Sequence, residues 1–403
     1  MTATKAAPSP ISSEGKQVDW WFTFKFNSAT YPGRTKTADE KNGIFGGTLE
    51  DYDDQASDSK KFSQRYAHAS SDNPSLRLGE ECVGTTLTDP LGATFGQVYD
   101  GDYFYVVWND QLYGNPINNK DSPWGHSKGM AAWNEDGEGF VLQVSTPSWP
   151  ASGSRKHPRQ NDGNTLGYIN DDDIEVSQHF FALKLNAADL QLVLEAARNA
   201  HVGTDPKQPE LVNNGGPAEI QAIVDSLGKS PKNPECLTKQ LSTGVTLISK
   251  PSTFAVPPWQ LVSAELGGLD LRVASWWMNP AIYSTTASTE IACWNEALAK
   301  PGGVDIATTG TWQEDSIGVK GGSGPDFNHA KIGVSTDPSK PYSIFGDMNQ
   351  QGALCEGYNK PGQKCSSSQN GRGGLFYAVP DKDLFEQVSK LLAGESAPTE
   401  KPE

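Results

Sequence analysis

Two short stretches of sequence decide the expected fold: GHSKG at Gly125–Gly129 and NHAKIGVS at Asn328–Ser335. Each places a lysine two residues after a histidine, and the two histidines lie half the chain apart. Both stretches lead into segments with the pattern of a β-strand, where side chains at i and i+2 project from the same face. We therefore expect each pair to present an imidazole beside an ammonium group.

The sequence that follows each pair is similar in the two halves. A second strand ends in a polar turn, at Ser145–Ser148 in the first half and at Gly346–Asn349 in the second. A glycine-containing signature comes next, at Asp162–Tyr168 and at Asn370–Tyr377, and a helix follows it. A long-period repeat of this kind predicts two related structural units.

The predicted fold class is α/β (mixed α+β), with two halves related by a pseudo-twofold axis, each a mixed β-sheet flanked by helices. Within it we expect a hairpin over Phe95–Asp110 and a helix over Asn186–Ala200 whose N-cap is Asn186. The predicted boundaries are a disordered tail at 1–17, a first half at 18–202, a linker at 203–217, a second half at 218–393 and a disordered tail at 394–403.

Composition and charge limit the classes of function. The 403 residues include 11 Trp, 12 Tyr and 15 Phe, which excludes a fully disordered chain. The formal net charge of −16 argues against a protein that binds nucleic acid through its overall charge. A polyanionic substrate would need a locally basic cleft, or a pH low enough to neutralise carboxylates.

The duplicated His-x-Lys suits phosphodiester chemistry. If the two halves meet at one seam, His126, Lys128, His329 and Lys331 converge on a single point. The lysines would hold the non-bridging oxygens, while one histidine attacks phosphorus and the other protonates the leaving oxygen. We expect no metal ion and no cofactor, because the lysines supply the positive charge.

Other candidate residues have two interpretations each. Arg155 and Lys156 lie in the most basic run of the chain, RKHPR, which either contacts a phosphate backbone or forms a solvated loop. The pairs Trp20-Trp21 and Trp276-Trp277 either stack on bases or pack in the core. We interpret the three remaining histidines as structural: His68, His179 and His201.

The five cysteines do not follow a metal-binding pattern. Cys355 and Cys365 enclose a short loop and would form a disulfide in an oxidising compartment, but unpaired, reduced thiols are an equal alternative. Residues 1–17 contain no readable signal peptide, so we expect a soluble protein, either cytoplasmic or exported by a non-classical route, and the compartment stays open.

Taken together, these motifs resemble the deoxyribonuclease II (acid DNase) family of the phospholipase D superfamily. The resemblance runs from about Val18 to Leu392 and rests on VDWWFTFKFN, VVWNDQ, GHSKG, NHAKIGVS, GDMN and RGGLFYAV, in the family's order. It implies two phospholipase D-like halves around one active site. It also implies metal-independent endonucleolytic cleavage of DNA at acid pH through a phosphohistidine, with 3′-phosphate and 5′-hydroxyl ends.

The resemblance also implies roles for individual residues. The two His-x-Lys pairs take the catalytic roles, with His126 favoured as the nucleophile, and Asn349 matches the asparagine of the phosphate pocket. Ser145 and Asp347, from the same two turns, join Arg155 and Lys156 as candidate substrate-binding residues. Three positions depart from the superfamily pattern: Trp133 and Thr336 replace an aspartate, and Ser148 replaces an asparagine.

Two other functions remain open at this stage. One is a phosphodiesterase of the same fold that acts on RNA or phospholipid, and the other is a non-catalytic, β-rich protein that binds glycans. We expect DNA as the partner and no membrane association. The oligomeric state is undecided, with a homodimer as one option.

Overall fold

A computed structural model of the chain describes residues 6–27, 29–30, 65–80, 83–84, 87–112, 117, 120–147, 149–150, 154–157, 176–232 and 234–399. The signature predicted at Asp162–Tyr168 lies outside the described residues, as do Cys82 and Ser148.

The first half forms an eight-stranded sheet with the order β3-β2-β1-β7-β6-β5-β4-β8. Its paired strands are all antiparallel within the described residues. The central strands are buried on both faces, as their largely apolar sequences require. The strands are β1 Trp20–Lys25, β2 Tyr66–Ser70, β3 Asn73–Leu78, β4 Phe104–Asn109, β5 Lys128–Trp133, β6 Gly139–Val144, β7 Gln178–Leu185 and β8 Val212–Asn213.

The second half forms a seven-stranded sheet with the order β12-β11-β15-β16-β17-β10-β9. It is mixed, because β11 and β12 are parallel while the other described pairs are antiparallel. A separate hairpin is formed by β13 Thr309–Trp312 and β14 Asp315–Gly318. The sheet strands are β9 Leu237–Gln240, β10 Thr246–Lys250, β11 Leu271–Ala274, β12 Val304–Ile306, β15 Ile332–Ser335, β16 Ser343–Gly346 and β17 Gly374–Val379.

The two sheets repeat one strand order. Apart from β3, the first sheet reads β2-β1-β7-β6-β5-β4-β8, and the second, taken from its other end, reads β9-β10-β17-β16-β15-β11-β12. In this correspondence β5 matches β15, so the two His-x-Lys segments precede equivalent strands. The mixed α/β class is confirmed, while the pseudo-twofold axis stays a prediction.

The described part of the chain contains five α-helices, and α3 packs against α2. They are α1 Pro90–Tyr99, α2 Ala187–Ala200, α3 Ala218–Val224, α4 Pro258–Glu265 and α5 Lys382–Leu391. The prediction for α2 is confirmed, since Asn186 is its N-cap and accepts a hydrogen bond from the Asp189 N–H. Within the described ranges, none of the helices has the length and apolar character to cross a bilayer.

The predicted hairpin over Phe95–Asp110 is wrong in its first arm, which belongs to helix α1. Asp89 caps this helix by accepting the Gly92 N–H at 2.9 Å, and Pro90 occupies its first turn. Proline is tolerated there because a main-chain N–H in the first turn would have no partner within the helix. Phe95 and Val98 are buried, and helix α1 packs on β1. Buried residues three positions apart follow the spacing of a helix, whereas we expected the two-residue alternation of a strand.

The two predicted tails and the linker contain ordered segments. The main-chain N–H of Ile11 donates to Thr94 Oγ1 of α1, and Ser396 forms a bridge with Ala307. Within the predicted linker 203–217, β8 pairs with β4 and extends the first sheet. Backbone pairing and contacts with distant residues, which local composition does not encode, hold these polar segments in place.

Aromatic side chains join the two sheets in one core. Phe345 of β16 stacks on Phe22 of β1 and on Phe181 of β7, with ring centroids 4.5 and 4.6 Å apart. Helix α2 of the first half packs against β10 and β17 of the second, and α5 packs against β3 of the first. The two halves therefore share their hydrophobic interior instead of touching through a polar surface.

The disulfide joins a pair of cysteines other than the one we considered. Cys293 is bonded to Cys365, with their Cα atoms 5.2 Å apart, and Cys355 is an exposed free thiol. The loop between Cys355 and Cys365 is closed by main-chain hydrogen bonds, such as that from the Gly357 N–H to the Gln363 carbonyl. Closeness in sequence suggested the wrong partner, because the fold brings in a residue 72 positions away.

Candidate active site

The two His-x-Lys pairs meet in one pocket of about 340 Å³ between the halves. Segments that lie far apart in the chain supply its walls. The described residues that line it are Gln111, His126, Lys128, Ser145, Pro147, Trp276, Ser323, His329, Lys331 and Asn349. They include four basic side chains and no carboxylate, so the pocket is locally basic in a protein of net charge −16.

Reciprocal backbone hydrogen bonds bring the histidines together. The His126 N–H donates to the Gly373 carbonyl and the His329 N–H to the Ser177 carbonyl, both at 2.8 Å. Gly373 directly precedes β17 and Ser177 directly precedes the equivalent strand β7. Each histidine is therefore anchored to the opposite half. A Cβ on Gly373 would lie 2.2 Å from the Ala200 carbonyl oxygen, and only glycine permits this approach.

His126 is buried and held in one tautomer. Its Nδ1 lies 2.7 Å from the main-chain oxygen of Asp347, and a carbonyl can only accept, so Nδ1 carries the proton. Nε2 of the neutral ring therefore keeps its lone pair. Burial, reinforced by the Lys128 ammonium, lowers the pKa of His126 well below its usual value, although Asp110 acts in the opposite direction.

The two lysines are fixed by different partners. Lys128 Nζ donates to Asp110 Oδ1 at 2.7 Å in a fully buried ion pair. Lys331 Nζ donates to the carbonyl oxygen of His329 at 2.6 Å. Both lysine side chains are almost completely buried, so their ammonium groups have little room to move away from these partners.

His329 is more accessible than His126. It is half-buried, and its ring meets Trp276 edge to face with centroids 4.3 Å apart. Trp276 is itself half-buried and lines the pocket, whereas Trp20 and Trp21 belong to the core. Of the tryptophans considered for base stacking, the structure thus brings Trp276 to the site.

Ser145 and Asn349 reach the pocket from the two polar turns. Ser145 Oγ donates to Gln178 and accepts the His179 N–H at 2.8 Å. Asn349 Nδ2 donates to Gln351 at 3.0 Å, and its buried Oδ1 has no hydrogen-bond partner within the described residues. The amide of Asn349 is therefore held at one end and available at the other.

The Asp347 carboxyl group lies behind His126 and is not among the described lining residues. It accepts hydrogen bonds from Gln143 Nε2 at 3.1 Å and from the Leu375 N–H at 3.0 Å. Burial raises the pKa of Asp347 to about 7, despite these hydrogen bonds. Asp347 thus contacts His126 through its main chain, and its side chain does not line the described pocket.

Arg155 and Lys156 lie on the surface and are not brought to the described pocket. Arg155 pairs with Asp100 at 2.5 Å, and Lys156 pairs with Asp102. Both side chains are about two-thirds exposed, so these ion pairs add little to the free energy of unfolding. The run at 154–157 has the character of a solvated loop.

Two charged residues of the site were missed by our sequence analysis, Asp110 and Arg372. They lie 262 positions apart and form an ion pair of 2.9 Å beside Lys128. Trp133 occupies the position of the missing aspartate but is a core residue of β5. The signal available was their place in the motifs VVWNDQ and RGGLFYAV, but spacing alone does not reveal a pair across the seam.

The three remaining histidines are buried and have structural contacts. His68 lies on β2, where burial lowers its pKa to about 4, and His201 stacks on Trp124 at the end of α2. His179 contacts the site, because its Nδ1 accepts the main-chain N–H of Lys331 at 3.1 Å. Burial lowers the pKa of His179 well below its usual value, which keeps that nitrogen an acceptor.

The chain is similar to known proteins over much of its length. A relative from Caenorhabditis elegans, the protein "Cell-death-related nuclease 7", is 26% identical over 301 residues, covering 68% of this chain and 71% of the relative. The sequence profile of the family described as deoxyribonuclease II matches residues 9–392 and so spans both sheets and both His-x-Lys pairs. The chain belongs to the deoxyribonuclease II family.

Proposed function

We propose that this protein is an endonuclease that hydrolyses DNA at acid pH without a metal ion and leaves 3′-phosphate and 5′-hydroxyl ends. The observation that carries the proposal is the convergence of two His-x-Lys pairs, from opposite halves of the chain, in one pocket. Membership of the deoxyribonuclease II family supports DNA as the substrate, and the name of the nematode relative supports a nuclease.

His126 is the proposed nucleophile. Its Nδ1–H is committed to the Asp347 carbonyl, which leaves the Nε2 lone pair for attack on phosphorus. Its lowered pKa keeps the ring neutral at an acid pH where an exposed histidine would be protonated. A neutral, oriented imidazole can attack phosphorus at acid pH without a separate base to deprotonate it.

His329 is the proposed acid and base. In the first step the His126 Nε2–P bond forms, the P–O5′ bond breaks, and a proton from His329 goes to the leaving O5′. In the second step a water oxygen attacks phosphorus, its proton goes to His329, and the N–P bond breaks. The products are a 3′-phosphate, a 5′-hydroxyl group and the original protonation states.

Lys128 and Lys331 are proposed to bind the non-bridging oxygens. Two fixed ammonium groups in a buried pocket stabilise charge on phosphorus oxygens better than mobile ions in water do. Asn349 and Ser145 add polar contacts at the same pocket. In the described part of the chain, no group of three or more His, Cys, Asp or Glu side chains is placed to hold a metal ion.

The acid optimum follows from two effects. The acid His329 must be protonated while the nucleophile His126 is neutral, so the pair should give a bell-shaped rate profile. Lower pH also reduces the net charge of −16 and with it the repulsion of DNA.

The test is cleavage of a 5′-labelled duplex oligonucleotide between about pH 4 and pH 8, with and without excess EDTA. We expect an acid optimum, full activity in EDTA, and 3′-phosphate ends that become extendable by a polymerase only after phosphatase treatment. Matched RNA and phospholipid substrates are assayed in parallel and are expected to react far more slowly.

Each part of the proposal has its own contradicting result. Loss of cleavage in EDTA would reject the metal-free mechanism, and 3′-hydroxyl ends would reject attack by His126 with departure of O5′. Faster turnover of RNA or phospholipid would reassign the substrate. Binding of glycans with no hydrolysis of any phosphodiester would exclude an enzyme of this type.

A further inference from the structure

Two motifs of the sequence contain charged residues that the proposed steps do not use. VVWNDQ provides Asp110, just after β4, and RGGLFYAV provides Arg372, just before β17. Asp110 is fully buried and Arg372 is 9% exposed. Charged side chains in such positions are costly to desolvate, so their contacts call for a physical reason.

The two residues connect the halves beside the first His-x-Lys. Asp110 Oδ1 accepts Lys128 Nζ at 2.7 Å, and Asp110 Oδ2 accepts Arg372 Nη2 at 2.9 Å. Burial would raise the pKa of Asp110, but the Lys128 ammonium, with His126 and Arg372, holds that pKa well below its usual value. Asp110 is therefore an ionised carboxylate between two cations.

Arg372 also holds the backbone that leads into His126. Its guanidinium donates to three carbonyl oxygens, those of Lys120 at 2.7 Å, Gly125 at 3.0 Å and Trp124 at 3.0 Å. One side chain of the second half thus fixes both the segment before His126 and the partner of Lys128.

Arg372 is in turn anchored from below. Lys250, fully buried at the end of β10, donates through Nζ to the carbonyl oxygens of Asn370 and Arg372, both at 2.8 Å. The guanidinium therefore projects from a backbone that is itself held by a buried lysine, so its position is closely defined.

Charge balance explains why the network needs three members. A buried pair of Asp110 and Lys128 alone would have no net charge, because the aspartate carboxylate would neutralise the Lys128 ammonium. Arg372 gives the triad a net charge of one positive unit, so Lys128 stays attractive to a phosphate oxygen.

We propose that Asp110 and Arg372 are positioning residues that fix the Lys128 ammonium and the His126 loop across the seam. The inference rests on the proposed function and concerns the same site. Neither residue touches the reacting atoms, so both act through Lys128 and His126.

The test uses Asp110→Asn, Arg372→Gln and the double variant, with Asp305→Asn as the matched control. Asp305 pairs with Arg272 away from the pocket, so its variant loses an aspartate–arginine contact without touching the site. The measurements are kcat and KM for DNA cleavage, the Tm, and the affinity for inorganic phosphate by calorimetry.

The double variant distinguishes a loss of kcat caused by mispositioned side chains from one caused by lost stability or by a changed net charge. Each single variant leaves a buried charge with fewer partners and should lower the Tm, whereas the double variant removes one charge of each sign and should recover most of it. Its net charge equals that of the wild type. We nevertheless expect kcat to stay about 100-fold below wild type, with KM changed far less, because a displaced lysine and nucleophile lose alignment.

Recovery of kcat together with Tm in the double variant would overturn the inference and make the triad a purely structural feature. Wild-type kcat in either single variant would overturn it as well. If the wild type does not cleave DNA, the proposed function fails, and phosphate affinity decides the inference instead. A roughly tenfold weaker affinity in the double variant would support positioning, and an unchanged affinity would reject it.

Discussion

His126 and His329 have similar neighbours in sequence but different surroundings in space. His126 is 7% exposed and bonded through Nδ1 to a carbonyl of the other half, whereas His329 is half-buried beside Trp276. A neutral, oriented ring suits attack on phosphorus, and a more accessible ring suits proton exchange with water. In the proposed mechanism, the local environments, and not the motif, distinguish the two roles.

His126→Ala and His329→Ala should both lose at least about 1,000-fold in kcat on DNA, because each removes one partner of a coupled pair. A substrate with a p-nitrophenyl leaving group separates them, since that group departs without a proton. We expect His329→Ala to release a burst of one equivalent of p-nitrophenol from thymidine 3′-(p-nitrophenyl phosphate). His126→Ala should release none.

Circular dichroism and Tm serve as the folding control for both variants. A burst from His126→Ala with none from His329→Ala would reverse the assigned roles. Wild-type cleavage of DNA by either variant would remove that histidine from the site.

Asp347 predicts a dependence of stability on pH. Burial raises the pKa of Asp347 to about 7, so the folded protein holds a proton that the unfolded chain releases near the ordinary aspartate value. The folded state binds more protons between these values, so this contribution is complete at low pH and is lost as the pH rises through about 7. Asp347→Asn, which stays neutral throughout, should lack it.

The measurement is the difference in Tm between wild type and Asp347→Asn at about pH 5 and about pH 8. We expect the variant to gain several degrees relative to wild type at the higher pH. The variant keeps one acceptor oxygen in place of the two that bind Gln143 Nε2 and the Leu375 N–H, so a loss of stability common to both pH values is expected, and only its change with pH tests the pKa. An equal difference at both pH values would contradict the raised pKa.

At the scale of elements, the pairing of cysteines depends on which loops the sheets bring together. Cys293 lies between β11 and β12, and Cys365 lies between β16 and β17. The bond therefore joins two long connections of the second sheet. The Cys293 N–H also donates to the Leu354 carbonyl, which places the free Cys355 next to the same junction.

Cys365→Ser should lower the free energy of unfolding by about 2–4 kcal/mol, because the cross-link restricts the unfolded chain over a long loop. Cys355→Ser is the matched control and should leave the Tm unchanged. Thermal unfolding with and without a reductant checks both, and reductant should bring the wild type to the level of Cys365→Ser. Peptide mapping that finds Cys355 in the cross-link would contradict the pairing.

At the scale of the whole molecule, the candidate site of this deoxyribonuclease-like hydrolase is lined by residues from both of its halves. Phe345 stacks between Phe22 and Phe181 where the two sheets meet. The backbone of each histidine is bonded to the other half. Turnover should therefore depend on the packing between the sheets as well as on the reacting residues.

Phe345→Ala should lower the free energy of unfolding by about 3–5 kcal/mol, because it leaves a cavity between the sheets. It should also reduce kcat at temperatures well below the Tm of the variant, because the cavity loosens the contact between the two halves that align the site. Phe95→Ala, a cavity under α1 in the same buried core, is the control: we expect a similar loss of stability with near-normal kcat. Equal kcat losses in both variants would indicate that general destabilisation, and not the seam, governs turnover.

Local pattern was sufficient for much of the fold. The strand pattern after the first His-x-Lys predicted β5, the strand before the first polar turn corresponds to β6, and the pattern with its N-cap predicted α2, because these signals lie within a few neighbouring residues. The repeat predicted two similar units, and the sheets do share one strand order. The four residues of the two His-x-Lys pairs, chosen from their spacing, lie together in one pocket, and their catalytic roles stay a prediction.

The sequence by itself determined which side chains could carry the chemistry, since His-x-Lys spacing is a local property. Only the tertiary structure decided their environment: the burial of His126, the Asp110–Arg372 pair across 262 positions, and the disulfide across 72. The physical reason is that desolvation and ion pairing depend on neighbours in space, which distant segments of the chain provide only after the two sheets have packed.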